Sequence, residues 1–141
     1  MKQILIILFL FSLVSCSTSD DSSVLADTAN ITGQKWKLTE YTDKKGRNKT
    51  SVFSSYYFVF ANDGVAEVHR ADNSIFLKGT YKIFMDSGRE KFEINLPIND
   101  DDGLSELNED WKTVSRTSEK IELQNESGGG GGTDFVKFEK L

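Results

Sequence analysis

Lys91-Phe92-Glu93-Ile94-Asn95-Leu96 carries an apolar side chain at every second position. Successive side chains of an extended strand point to opposite faces. The run therefore makes one apolar face of Phe92, Ile94 and Leu96 and one polar face of Lys91, Glu93 and Asn95. Pro97, the only proline, has no N–H to give to a ladder and ends the strand. Just upstream, Ile75, Leu77, Gly79, Tyr81 and Ile83 share one face against Lys78, Thr80 and Lys82, with Asp86-Ser87-Gly88 turning the chain between the two strands. Gly79 inside this run predicts a sharp bend or bulge, a device by which barrels curve.

The same period extends to both sides. Trp36, Leu38 and Glu40 share a face, and Asp43 to Asn48 is a polar loop. Tyr56, Phe58 and Phe60 alternate with Tyr57 and Val59, a strand apolar on both faces. Asn62-Asp63-Gly64 is a hairpin signal, because Asn and Gly accept the positive φ of such turns. Ala66 and Val68 then alternate with Glu67 and His69, and Ile121 and Leu123 with Glu122 and Gln124. Val136 and Phe138 make the last strand after the glycine run Gly128 to Gly132. Leu104, Leu107 and Trp111 at i, i+3 and i+7 predict one short helix with Asp102 as its N-cap. In the strand after it, either Trp111 and Thr113 or Lys112 and Val114 face inward. About eight short strands with turns between them predict an all-β domain. The expected fold is a small eight-stranded antiparallel up-and-down barrel with one short helix. A β-sandwich is the alternative.

The N-terminal residues read differently. Met1-Lys2 supplies positive charge and Ile4 to Val14 is almost wholly apolar, yet the run is too short for a stable membrane-spanning helix, so it reads as a secretory signal. Leu13-Val14-Ser15-Cys16 resembles the lipobox of bacterial lipoproteins. That resemblance implies cleavage before Cys16 and acylation of Cys16 by a diacylglyceryl group and an N-acyl chain. Each buried methylene contributes about 0.8 kcal/mol, so several chains hold where one anchors only marginally. The expected organisation is a signal peptide at 1–15, a flexible acylated tether at 16–30 and one domain at 31–141. Ser17, where an inner-membrane retention signal has aspartate, implies an outer-membrane lipoprotein. Asp20-Asp21 resembles surface-export signals and reads equally as a solvated linker.

The charge balance is 17 Lys+Arg against 22 Asp+Glu. An acidic chain with scattered lysines is unsuited to nucleic acid, which needs clustered cations. Cys16 is the only cysteine and His69 the only histidine, which leaves no disulfide within the chain and no Cys/His zinc site. Asp100, Asp102, Gly103 and Glu109 match positions 3, 5, 6 and 12 of an EF-hand loop, but Ile98 stands where the first oxygen ligand belongs. The glycine run leads into Thr133-Asp134-Phe135 and not into the Lys-Ser/Thr of a phosphate-binding loop, so it reads as a floppy hairpin tip. His69 has no nucleophile elbow to serve. Glu67 and Glu93 lie on outward faces of a domain with little room for a cleft between paired carboxylates. No enzyme, no cofactor and no metal are expected.

The first strand, Ile31-Thr32-Gly33-Gln34-Lys35-Trp36-Lys37-Leu38-Thr39-Glu40-Tyr41, resembles the opening of the lipocalin-like domains found on bacterial lipoproteins. Phe58-Val59-Phe60, Asp63-Gly64, Gly79-Thr80-Tyr81, Leu107 to Trp111 and Ile121-Glu122-Leu123 continue the likeness over about residues 31 to 141. Gly33 and Trp36 stand two residues apart, against one in the lipocalin Gly-x-Trp. The resemblance implies a non-enzymatic, monomeric, lipid-anchored envelope protein with a small apolar ligand in the barrel. Trp36, Phe58, Tyr81, Phe92 and Trp111 would line that pocket. Aromatic side chains at strand spacing read equally as core. The alternative is therefore a structural or interaction lipoprotein with a solid core, recruiting an envelope protein or glycan through its loops.

Overall fold

The computed structural model describes residues 31–98 and 103–141. The expected signal peptide and tether, with Cys16, lie outside the described residues, as do Asp100 and Asp102. The described residues form a closed antiparallel barrel of eight strands in sequence order. These are β1 (Lys35–Thr42), β2 (Tyr56–Phe60), β3 (Val65–Arg70), β4 (Ile75–Asp86), β5 (Arg89–Asn95), β6 (Asp110–Arg116), β7 (Lys120–Glu126) and β8 (Thr133–Lys140). β8 returns to β1, pairing Trp36 with Lys140 and Thr42 with Phe135. The barrel is thus the architecture that the alternation predicts, and the two-layer sandwich is excluded.

The period-two pattern sets the register. Phe58 faces Trp36 on β1 and Val68 on β3, and Phe92 faces Ile83 on β4 and Trp111 on β6. All six side chains are buried. A slip of one residue would turn each of these rows to water, so burial itself specifies the pairing. In β6 it is Trp111 that points in. The register shift between Thr113 and Ser115 then re-aims the strand, leaving Val114 half exposed on the outside and setting Arg116 opposite Ile121. Arg116 reaches Glu90 through Nε at 2.9 Å and Nη2 at 2.6 Å, which bridges β5 and β6 where their backbone pairing has ended.

Two expectations need correction. The segment read as a helix through Trp111 is a single 3-10 turn, Leu104–Leu107, and Trp111 belongs to β6. A 3-10 turn eclipses i and i+3, which is enough to bury Leu104 and Leu107 together. Asn108 leaves the turn and closes it onto the residue that follows β5: its Oδ1 accepts from the Leu96 N–H at 2.5 Å and its Nδ2 donates to the Leu96 carbonyl at 2.9 Å. Gly79 is not at a bulge. The shift in that part of the sheet lies between Val68 and His69. A β-carbon on Gly79 would sit 2.2 Å from the Asn95 carbonyl oxygen and 2.9 Å from the Leu96 Cα. Glycine is required because the end of β5 crosses over β4 there.

The long connections gather at one end. Alternating strand direction puts the β1–β2 segment (43–55), the β3–β4 turn, the β5–β6 segment and the β7–β8 tip at the same mouth of the barrel. The opposite end has only short links at 61–64, 87–88 and 117–119. Phe53, from the 3-10 turn Thr50–Phe53, and Leu104 and Leu107 are wholly buried from the long-loop end and belong to the same core as the strand residues.

Gly79→Ala forces the crossing apart. The expected loss is about 1–3 kcal/mol, the usual cost of overpacking, measured by equilibrium urea unfolding with an unchanged m-value.

Candidate functional site

The structure brings all five side chains expected to line a pocket into the barrel interior. Trp36, Phe92 and Trp111 are fully buried, and Phe58 and Tyr81 nearly so. Three of them, Phe58, Tyr81 and Phe92, are joined by ring contacts that run through Phe60 and Phe138. Phe58 meets Phe138 edge-on at 5.3 Å between centroids, and Phe60 meets Phe138 at 6.1 Å, Phe92 at 5.2 Å and Tyr81 at 5.0 Å. Tyr81 and Phe92 stack at 5.7 Å. Such pairs contribute about 0.5–1.5 kcal/mol each beyond the area they bury. The polar tips are engaged as well. The Trp36 indole donates to the Ile31 carbonyl at 2.9 Å, the Trp111 indole to the Leu107 carbonyl at 3.0 Å and the Tyr81 hydroxyl to the Ala61 carbonyl at 2.8 Å. Every donor that these residues could turn toward a ligand is already tied to the backbone.

A cleft of about 260 Å³ opens at the long-loop end, between the β1–β2 loop, the β5–β6 segment and the start of β8. Its floor is Tyr41 and Asp43, and its walls include Lys45, Lys49, Glu106 and Asp134. Asp43 organises the loop. It is 5% exposed, and its Oδ1 accepts the N–H groups of Lys45 and Arg47, each at 2.9 Å. Its Oδ2 accepts from Arg47 Nε at 2.7 Å and lies 2.6 Å from Nη2. The Arg47 side chain and these N–H groups hold the Asp43 carboxyl down at about 2. The glycine tip docks here. Gly132 has φ +94°, and a β-carbon on it would lie 2.1 Å from the Lys44 carbonyl oxygen. Asp134 then accepts from the Lys44 N–H at 2.8 Å. Lys49 pairs with Glu106 across the cleft. Burial raises the Tyr41 phenol, and the carboxylates of Glu106 and Asp134 raise it further, so it stays protonated.

The polar loop at 43 to 48 gave one legible hint of this, since Asp43 and Arg47 flank Gly46, but its contact with residues 90 positions away has no local signal. The cleft offers both signs of charge on a fixed frame, with the Tyr41 phenol bonded to Glu106 in its floor. Of the EF-hand-like residues, Glu109 reaches the cleft wall. Among the described residues no cluster of acidic, histidine or cysteine side chains is arranged to hold a metal ion. His69 lies on the outer wall, its Nε2 2.9 Å from Glu67, with its ring stacked on Tyr57 at 4.8 Å. Glu67 also pairs with Lys78 at 2.6 Å, and Lys78 and then His69 lower its carboxyl. Glu93 is exposed on β5, away from Glu67.

The Asp43 frame has a pH signature. Its carboxyl falls from an ordinary 3.8 to about 2 on folding. The stabilisation is therefore complete above about 4 and is lost as pH falls through about 2. Asp43→Asn is expected to lower the thermal midpoint at neutral pH. The gap from the wild type should close as pH drops from about 4 to about 2, read by circular dichroism melts across that range.

No protein-family model matches the chain, and no curated protein matches it. Among solved structures it is similar to a protein from Burkholderia xenovorans determined by NMR, at 12% sequence identity and a TM-score of 0.43, over 83% of this chain and 88% of that one.

Proposed function

We propose that the protein is a non-enzymatic, lipid-anchored component of the cell envelope that holds a glycan in the cleft at the long-loop end of its barrel. The observation that carries this reading is the division of labour within the fold. The interior rings are packed on one another with their donors committed, while the three longest connections converge on a polar cleft held rigid by Asp43 and Asp134. Loops placed on a rigid scaffold are where binding residues concentrate. A glycan suits the cleft better than a protein does. Protein partners take most of their affinity from aromatic and arginine anchors; here Arg47 is committed to Asp43, Tyr41 is buried, and none of the exposed large hydrophobic side chains lines the cleft. A hydroxyl-rich ligand can instead exchange hydrogen bonds with carboxylate and ammonium groups side by side.

An apolar ligand inside the barrel would have to displace ring-to-ring contacts among the residues meant to line its pocket, and this argues for the solid-core alternative. Anchoring at Cys16 rests on the lipobox resemblance. Membrane tethering would keep the cleft close to the envelope glycans it is proposed to hold.

Co-sedimentation of the full-length protein with purified peptidoglycan sacculi tests the reading. The wild type is expected to pellet with them. A Lys45→Glu/Glu109→Lys variant, which reverses two exposed charges of the cleft wall, should pellet several-fold less at an unchanged unfolding midpoint. Cys16→Ser should move the protein from the membrane to the soluble fraction without altering sacculus binding. Equal pelleting of wild type and cleft variant, or none by either, would refute the glycan assignment.

A further inference from the structure

We propose that the outer wall of the barrel carries a separate binding site for a small amphipathic organic anion, a carboxylate joined to a flat or aliphatic apolar body. Its cleft of about 330 Å³ is lined by Lys35 and Lys37 of β1, Tyr56 and Tyr57 of β2, Asn73 of the β3–β4 turn and Leu141. The volume lies at the lower end of small-molecule sites and suits one or two rings or a short chain.

The cleft sets two ammonium groups beside an apolar floor. In a chain of net charge −5, Lys35 and Lys37 make no ion pair among the described residues. Their hydrogen-bond partners are neutral. Lys35 Nζ donates to Asn73 Oδ1 at 2.9 Å, and Lys37 Nζ donates to the carbonyls of Ser54 and Tyr56, the latter at 2.9 Å. Two side-chain carboxylates of neighbouring strands are engaged elsewhere. Glu139, opposite Lys37 in the register, pairs with Lys137 at 2.9 Å, and Glu67 is taken by Lys78 and His69. An ammonium has three donors, so Lys37 keeps one and Lys35 keeps two. The two residues stand two positions apart on one strand, about 7 Å between Cα atoms, and share the outward face.

The cations are held in place before any ligand arrives. Asn73 adopts φ +66°, a left-handed conformation that asparagine tolerates in turns. From there its Oδ1 accepts both the Lys35 ammonium and the Tyr57 hydroxyl, the latter at 2.9 Å. Lys35 Nζ sits 4.8 Å from the centre of the Tyr57 ring, and the stack on His69 fixes that ring. Tyr56 is likewise fixed by stacking on Phe76 at 5.3 Å. Leu141 is 67% exposed and gives the cleft an apolar rim. Fixed cations bordering apolar surface match a ligand that needs both, and prior ordering removes much of the entropic cost of gripping it.

The test is a 1H–15N NMR titration of the full chain in nanodiscs of zwitterionic lipid, with 2-naphthoate and with the neutral 2-naphthamide. Naphthoate is expected to give saturable shifts at the amides of Tyr57, Asn73 and Leu141. Naphthamide should bind at least about tenfold more weakly, because it lacks the charge-assisted hydrogen bond. Lys35→Gln, which keeps a donor for Asn73, should cost naphthoate a similar factor without moving the unfolding midpoint. Lys37→Gln provides a second, independent reading. The proposal is overturned by equal affinity for the acid and the amide, by shifts confined to other surfaces, or by no saturable shift at the solubility limit of the acid. None of these outcomes bears on sacculus binding, which involves the other cleft.

Discussion

β8 lies along β1 from Trp36–Lys140 to Thr42–Phe135, and the sheet closes through that pairing. Closure fixes the interior volume, and an eight-stranded barrel is just wide enough for side chains to fill. Phe58, Phe60, Tyr81, Phe92 and Phe138 fill it through a continuous chain of ring contacts, with Trp36 and Trp111 buried beside them. The single-turn segments carrying Phe53, Leu104 and Leu107 add apolar side chains from the long-loop end. With no cysteine partner available for Cys16 within the chain, this packing is the main source of the domain's stability.

With the interior rings packed on one another, the proposed function lies on the outside of the barrel. The tight links at one end leave little to vary, while the long connections at the other meet through contacts of backbone with side chain. Asp43 gathers the β1–β2 loop around one carboxylate, and Gly132 lets the β7–β8 tip approach Lys44 closely enough for Asp134 to bond it. These are rigid frames for presenting charged groups. The outer wall repeats the principle on a smaller scale, where Asn73 holds Lys35 and Tyr57 in place.

The architecture was legible because period-two burial is written locally. Phe92-Glu93-Ile94 and Ile121-Glu122-Leu123 each announce an inner and an outer face, and Asn62-Asp63-Gly64 and Pro97 mark where strands stop. The parity of β6 was not legible, because Trp111 and Val114 are both apolar and a register shift separates them. The segment around Leu104 and Leu107 fits a longer helix equally well, and only the capture of Leu96 by Asn108 shows why it ends after one turn. Gly79 signalled an irregularity, but the sequence does not reveal that the crossing of β5 causes it. The clefts were hidden for the same reason. Lys44 with Asp134, and Lys35 with Asn73, are neighbours only once the barrel has closed.

Equilibrium unfolding of Phe60→Ala tests most directly whether the rings support one another. Phe60 is fully buried and touches Tyr81, Phe92 and Phe138. If these rings are the solid core, the truncation lowers stability by about 3–5 kcal/mol. A loss below about 1 kcal/mol, with the fold retained, would mean that they line an open chamber and would contradict the account.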